Sequence, residues 1–239
     1  MDRLVFLDTE TTGNDVYFDR LFEVAYKFRE KTYSGYFKPP IPISVKSSSI
    51  THVTNEMVEG KIPFMESQMR TDLMEILKDN ILVAHSAAFD IEALAKEDVK
   101  VSNFICTLKV ARYLDTESEI PEYGLQYLRY FHNLNVTDAG AHDARSDIKV
   151  LEAVFNFLFN KMKESGKSEE EILDEMMRVS QQPVLFKFFP FGKHRGKKLE
   201  EIAVFDKGYL EWMLDQKLQS NKSEEDWIFT LKYYLQIND

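Results

Sequence analysis

Cysteine is almost absent from this 239-residue chain, in which Cys106 stands alone. That rules out an internal disulfide and a multi-thiolate metal centre, and it suits a reducing cytoplasm. No apolar run approaches the roughly 20 residues of a membrane span. The N-terminus, Met1-Asp2-Arg3, leads straight into a strand-like segment, without the apolar stretch of a secretory signal. Basic charge is scarce too: 30 Lys and Arg against 40 Asp and Glu leave a formal net charge of −10. A nucleic-acid binder usually presents a basic footprint. The deficit is uneven, however. From Lys187 to Lys198 there are five basic residues (Lys187, Lys193, Arg195, Lys197 and Lys198) and no acid. That stretch could face phosphates or be a solvated loop. What remains is an ordinary globular composition, 44% hydrophobic and 13% aromatic. Its length is enough for one buried domain with a small appendage, or for one large domain.

Leu4-Val5-Phe6-Leu7 is a continuous apolar run, as expected of a strand covered on both faces. It ends in Asp8-Thr9-Glu10-Thr11-Thr12-Gly13, closed by a turn glycine. Strands are expected at 21–28 and 32–37, ahead of the breaker Lys38-Pro39-Pro40-Ile41-Pro42. Helices follow at 54–59 and 64–78, a buried strand at 81–85 and a helix at 89–96. A weaker strand is expected at 104–107, with helices from Leu108, at 124–131, and along a long amphipathic segment from about Asp143 to Lys163. A meander of strands followed by alternation with helices indicates an α/β mixed sheet with helices on its faces. The polar segment 164–182 contains the capping-box pattern Ser168-x-x-Glu171 and reads as a linker helix. A strand at 184–191 and helices at 199–216 and 223–234 would make a small second domain. The expected division is 1–165, 166–182 and 183–239.

The acids carry the chemistry. Asp8 and Glu10 are two apart at the end of a strand, so their side chains share a face, where they repel. Asp147 stands at the head of a stripe continued by Leu151, Val154 and Leu158. A carboxylate there must be paired, neutralised or bound to metal. His142 precedes it by five positions, about 140° apart on a helix. His142 therefore belongs on the loop before the helix, where Ala139-Gly140-Ala141 would give it freedom to act as a base. Asp90 opens a helix, and an ordinary N-cap would also explain it. Four carboxylates without thiolates suit Mg²⁺ or Mn²⁺ better than zinc. Two such cations roughly 4 Å apart can clamp a phosphodiester.

Three segments in order resemble the signatures of the DnaQ-like (DEDDh) exonucleases: Asp8-Thr9-Glu10-Thr11-Thr12-Gly13, Val83-Ala84-His85-Ser86-Ala87-Ala88-Phe89-Asp90 and His142-Asp143-Ala144-Arg145-Ser146-Asp147. The resemblance covers residues 4 to about 163. It implies a ribonuclease-H-like fold with a five-stranded mixed sheet, and a 3′→5′ exonuclease with two Mg²⁺ or Mn²⁺ ions. Asp8 would bridge both ions, Glu10 and Asp147 would bind the water-activating one, and Asp90 would reach the second through water. His142 would take the proton of the attacking water. Thr11, Thr12 and Gly13 would contact the terminal nucleotide by their backbone. Phe89 belongs to the second signature and is expected near the substrate, and Thr51, His52 and Thr54 lie where the family packs against the last bases. Ser86 departs from the family, which commonly has Asn there.

Farther on, Phe191-Gly192-Lys193-His194-Arg195-Gly196-Lys197-Lys198 and Tyr209-Leu210-Glu211-Trp212-Met213 resemble the small α+β module that ends exodeoxyribonuclease X-like exonucleases. Lys193, Arg195 and Lys197 would then meet phosphates, with Tyr209 and Trp212 in the module's core. The resemblance favours single-stranded or frayed DNA 3′ ends as substrate. RNA trimming, a polymerase proofreading subunit and a non-catalytic nucleic-acid-binding module are the alternatives. Gln182-Pro183-Val184-Leu185-Phe186 also fits a peptide pattern that binds the bacterial sliding clamp, unless it folds as a strand.

Overall fold

The computed structural model describes residues 1–15, 17–136, 144–220 and 224–237, with the side chains of the long helix described from Ser146 onward. His142 of the third signature lies outside the described residues. The chain forms two compact units, Met1–Leu114 with Glu122–Ser180, and Asp115–Pro121 with Gln181–Asp239. Among the described residues no helix is long and apolar enough to cross a membrane.

The first unit is built on strands β1 (Leu4–Thr11), β2 (Leu21–Phe28), β3 (Lys31–Tyr36), β4 (Ile81–Ala84) and β5 (Phe104–Cys106). They form a mixed sheet in the order β3-β2-β1-β4-β5. β1–β2 and β2–β3 are antiparallel, whereas β1–β4 and β4–β5 are parallel. Helices α1 (Val45–Thr51), α2 (Asn55–Val58) and α3 (Gln68–Leu77) precede β4. Then come α4 (Ala88–Ala95), α5 (Thr107–Leu114), α6 (Leu125–Phe131), α7 (Ala144–Lys163) and α8 (Glu169–Ser180). This is the ribonuclease-H-like arrangement.

Strand alternation in β1 sorts its residues between two layers. Val5 and Leu7 pack with Leu73, Leu77 and Leu94 of α3 and α4. Phe6 meets Phe155 of α7 edge-on, with ring centroids 5.4 Å apart. Even-numbered residues of β1 therefore face α7, and odd-numbered ones face α3 and α4. Leu151, Val154 and Leu158 of α7 are all buried, as the stripe behind Asp147 requires.

In the first unit three elements differ from the sequence expectation. Helix α1 falls in a serine-rich segment of weak helix propensity, and its hydroxyls are used locally. Ser44 caps the helix through the Ser47 N–H, Ser47 donates to the Thr11 carbonyl at 2.6 Å, and Thr51 donates to the Ser47 carbonyl. The helix expected at 64–78 is broken at Ser67, which is extended and caps α3 from the Arg70 N–H. The expected linker helix forms as α8 but packs on β5 and α5. It buries Ile172, Leu173 and Met176, and Ser180 Oγ accepts the Cys106 N–H at 2.7 Å.

The second unit holds α9 (Leu199–Phe205), α10 (Lys207–Leu218) and α11 (Glu225–Leu235) around Phe189, Leu210 and Leu231. The strand expected at 184–191 is reduced to one bridge, Phe188 with Lys198. The N–H groups of Val184 and Phe186 go instead to side chains of α11, Asp226 Oδ1 at 2.8 Å and Thr230 Oγ1 at 3.0 Å. Phe186 also packs on Trp227. The clamp-like pattern is thus built into this unit, unlike a free peptide. The single helix expected at 199–216 divides at Asp206, whose backbone leaves the helical region.

Candidate active site

β1 carries two acids on the α7 face, because Asp8 and Glu10 continue the even-numbered row of Leu4 and Phe6. Asp147, in the first turn of α7, reaches the same place. One carboxylate oxygen from each of Asp8, Glu10 and Asp147 lies within 4.8 Å of the others. Asp147 is buried, whereas Asp8 and Glu10 are half-buried. Burial, then the nearby charges of Asp90, Glu10, Asp147 and Glu23, hold the Asp8 carboxyl well above its ordinary range. Three crowded carboxylates with hard oxygen donors fit a divalent cation such as Mg²⁺ or Mn²⁺, whose charge would offset the repulsion.

Asp90 supplies none of those three ligand atoms, but its charge is near enough to act on Asp8. It lies in the first turn of α4, 4% exposed, and belongs to the layer that receives the odd-numbered residues of β1. There Thr9 donates twice to Asp90 Oδ1, through its N–H at 3.1 Å and its hydroxyl at 2.8 Å. Pairing of β1 with β4 stops at Phe6 and Val83, so the Asp90 carboxylate serves the Thr9 amide beyond the last strand pair. Burial pushes the Asp90 carboxyl up to about 7, against the pull of the Thr9 hydrogen bonds.

Around this core the expected substrate residues divide. The hydroxyls of Thr11 and Thr12 are used internally, donating to the Gly13 carbonyl at 2.5 Å and to Asp19 Oδ1 at 2.7 Å. Much of the backbone of this turn is engaged as well: the Thr12 N–H donates to the Arg20 carbonyl, and the carbonyls of Thr11 and Thr12 accept from the Ser47 hydroxyl and the Ser44 N–H. Gly13 has no positive φ. It is required by close approach, because a Cβ there would lie 2.5 Å from Asp19 Oδ2. Phe89, Thr11, Asp15, Asp19, Ala93 and Lys96 line one cavity beside the turn. Thr51 is buried with its hydroxyl engaged, whereas His52 and Thr54 are exposed, His52 with φ 60°.

Two site residues escaped the sequence reading. Glu23 is 3% exposed and is the cross-strand partner of Glu10. An acid inside Leu21-Phe22-Glu23-Val24-Ala25 was the available signal. Gln126 donates from Nε2 to Asp147 Oδ1 at 2.7 Å. No spacing announces that contact, since α6 meets α7 only in the fold.

In the second unit the basic turn is partly engaged. Lys193 Nζ and His194 Nε2 each lie 2.8 Å from Asp206 Oδ2, and together they hold the Asp206 carboxyl below its ordinary range. Lys197 Nζ lies 5.1 Å from the Phe205 ring centroid, and Arg195 is exposed. Gly192 and Gly196 take positive φ, as the tight turn requires. Tyr209 packs against the core, but Trp212 is 55% exposed and lies over Tyr209 instead of inside.

A family model described as Exonuclease matches residues 5–155. The chain belongs to the exonuclease family. It is a nuclease, a hydrolase of phosphodiesters. A second model, described as Exodeoxyribonuclease X-like C-terminal, matches residues 189–217 of this exonuclease. Exodeoxyribonuclease 10 of Escherichia coli (strain K12) is 32% identical over 202 residues, 83% of this chain and 82% of that protein. DNA polymerase III subunit epsilon of Treponema pallidum (strain Nichols) is 31% identical over 159 residues, 62% of this chain and 72% of that one. Among solved structures, Exonuclease X in complex with 5′ overhanging duplex DNA superposes with a TM-score of 0.58 at 27% identity, over 74% of this chain and 99% of that one.

Proposed function

We propose that this exonuclease removes nucleoside monophosphates from the 3′ ends of single-stranded or frayed DNA by metal-dependent hydrolysis. The observation that carries this reading is the triad Asp8, Glu10 and Asp147, assembled from β1 and α7 with ligand atoms within 4.8 Å. Bound there, two Mg²⁺ or Mn²⁺ ions would supply the positive charge that activates water and stabilises the leaving 3′ oxygen. Asp8, Glu10 and Asp147 would hold the ions, with Asp90 contributing from α4. Water attacks phosphorus, its proton passes to His142, and the bond from phosphorus to the 3′ oxygen breaks. A nucleoside 5′-monophosphate leaves, and the freed 3′ oxygen takes a proton from solvent, so the shortened strand keeps a 3′ hydroxyl.

DNA as substrate is supported by the similarity to Exodeoxyribonuclease 10 along most of both chains. The backbone of Thr11, Thr12 and Gly13 takes the terminal nucleotide, with Phe89 beside it and Thr51, His52 and Thr54 near the preceding bases. Lys193, Arg195 and Lys197 of the second unit contact phosphates of the substrate backbone. A cytoplasmic setting fits the single, buried thiol of Cys106.

The test uses 5′-labelled single-stranded DNA and the matching RNA with Mg²⁺ or Mn²⁺, with Asp8→Ala beside the wild type. Laddering of DNA from its 3′ end, lost in Asp8→Ala, is the expected result. Preferential shortening of RNA overturns the substrate assignment. Absence of shortening, or full activity of Asp8→Ala, overturns the mechanism.

A further inference from the structure

Asp147 is held from outside the acidic triad. Gln126 lies in the first turn of α6, after the capping Gly124, and its Nε2 donates to Asp147 Oδ1 at 2.7 Å. A glutamine amide alone could turn either end toward a carboxylate. Here Arg129, one turn along α6, donates from Nη1 to Gln126 Oε1 at 3.3 Å, which fixes the NH₂ group on the Asp147 side. Arg129 is itself anchored, with Nη2 donating to the Val136 carbonyl at 2.6 Å. The entry to α6 is pinned to the end of β4. His85 Nε2 donates to the Tyr123 carbonyl at 2.8 Å, and Nδ1 lies 2.9 Å from the Thr107 hydroxyl. Burial holds the His85 ring neutral, at a pKa of about 4, consistent with one nitrogen donating and the other accepting.

We propose that Gln126, oriented by Arg129, is a positioning residue for the metal centre. It fixes the plane of the Asp147 carboxylate so that its remaining lone pairs meet the cation shared with Asp8 and Glu10. This rests on reading the triad as a metal site. A neutral amide suits the task, because it orients the carboxylate without bringing a cation that would compete with the metal. A Lys or Arg at position 126 would bring such a competitor. Hydrogen bonds behind metal ligands set ligand orientation and with it metal affinity.

The experiment compares full-length wild type, Gln126→Leu and Arg129→Lys. Mn²⁺ binding is read from the loss of the free-ion electron paramagnetic resonance signal, which needs no turnover. The metal dependence, kcat and KM on labelled single-stranded DNA are read alongside. Gln126→Leu is expected to weaken Mn²⁺ binding by ~10-fold or more. It should lower kcat and leave KM for DNA at saturating metal within about twofold of wild type. Arg129→Lys, which keeps the charge but loses the fork, should shift Mn²⁺ binding in the same direction by less. Wild-type Mn²⁺ affinity in a folded Gln126→Leu protein overturns the proposal. If that variant fails to fold, an unchanged affinity in Arg129→Lys overturns it instead. Weaker Mn²⁺ binding by the variants, alongside a wild type that cleaves neither polymer, would sink the proposed activity and leave this inference standing. Failure of the wild type to bind Mn²⁺ overturns both.

Discussion

Thr9 stands between two acids of the triad and turns its own side chain away from them, giving both its N–H and its hydroxyl to one oxygen of Asp90. The alternation of β1 thereby serves both layers at once. Asp8 and Glu10 look toward α7 and Asp147, while Thr9 anchors Asp90 from the other side. Thr9→Val keeps the shape and removes the hydroxyl. The expected loss is about 1–3 kcal/mol of stability, because a buried acceptor loses a donor. It is read from denaturant melts with and without metal, and a Thr9→Val protein as stable as wild type would show that the contact is dispensable.

The acids also set a pH dependence of known sign. An unfolded Asp titrates near ~3.9, whereas Asp90 in the fold is raised to about 7 and Asp8 is raised as well. Through the window from about 4 to about 7 the folded chain holds protons that the unfolded chain has released. The metal-free protein therefore loses stability as pH rises through it. Asp90→Asn needs no proton, so its melting temperature in chelator should gain on the wild type between pH 5 and pH 8. His85 acts in the opposite sense, its pKa being pushed down to about 4 mainly by burial, but it cancels in this comparison. Mg²⁺ should raise the wild-type melting temperature, and more at pH 8 than at pH 5. A gap between the two proteins that ignores pH would remove the Asp90 assignment.

Gly13→Ala tests the close approach at the turn. The new Cβ would meet the Asp19 carboxylate at 2.5 Å. That carboxylate cannot swing aside cheaply, because it accepts from the Thr12 hydroxyl and the Asp15 N–H, each at 2.7 Å. Overpacking should cost about 1–3 kcal/mol. KM for DNA should rise with it as the turn shifts. Wild-type melting and kinetics would mean that the loop adapts freely.

Ser86, where the family commonly has Asn, has φ 62°. That left-handed conformation is strained for serine and easier for asparagine or glycine. Ser86→Gly should gain up to ~1 kcal/mol, with Ser86→Asn between it and wild type. On a chain of this length ~1 kcal/mol is about 2–4 °C in Tm. A fall in Tm for both variants would assign the serine hydroxyl a role that outweighs the strain.

The basic turn is tested by salt. If Arg195 and Lys197 each neutralise one phosphate, Arg195→Ala/Lys197→Ala should reduce the salt slope of single-strand binding by about 1.4, at ~0.7 per phosphate. Binding is read by anisotropy with Ca²⁺ in place of Mg²⁺. An unchanged slope removes this turn from the substrate path.

Much of the first unit could be read directly from the sequence. The apolar run before Asp8, the period-two spacing of Asp8 and Glu10, and the Leu151, Val154 and Leu158 stripe behind Asp147 are local patterns. Local backbone geometry alone translates them into a strand end and a helix face. The second unit was less legible. Its segment 184–191 looks like a strand, but side chains of α11 take the N–H groups of Val184 and Phe186, a choice no residue in the segment encodes. Asp206 breaks the expected helix where Lys193 and His194 reach it, and Trp212, expected in the core, is left half exposed.

The paired acids are what the sequence by itself determined, since the strand period places Asp8 and Glu10 together wherever that strand lies. The tertiary structure decided which partners hold them. Thr9 found Asp90 across 81 positions and Gln126 found Asp147 across 21, because sheet order and helix packing bring those elements together. A hydrogen bond between distant elements has no period in the chain. It depends on an orientation set only when the layers close.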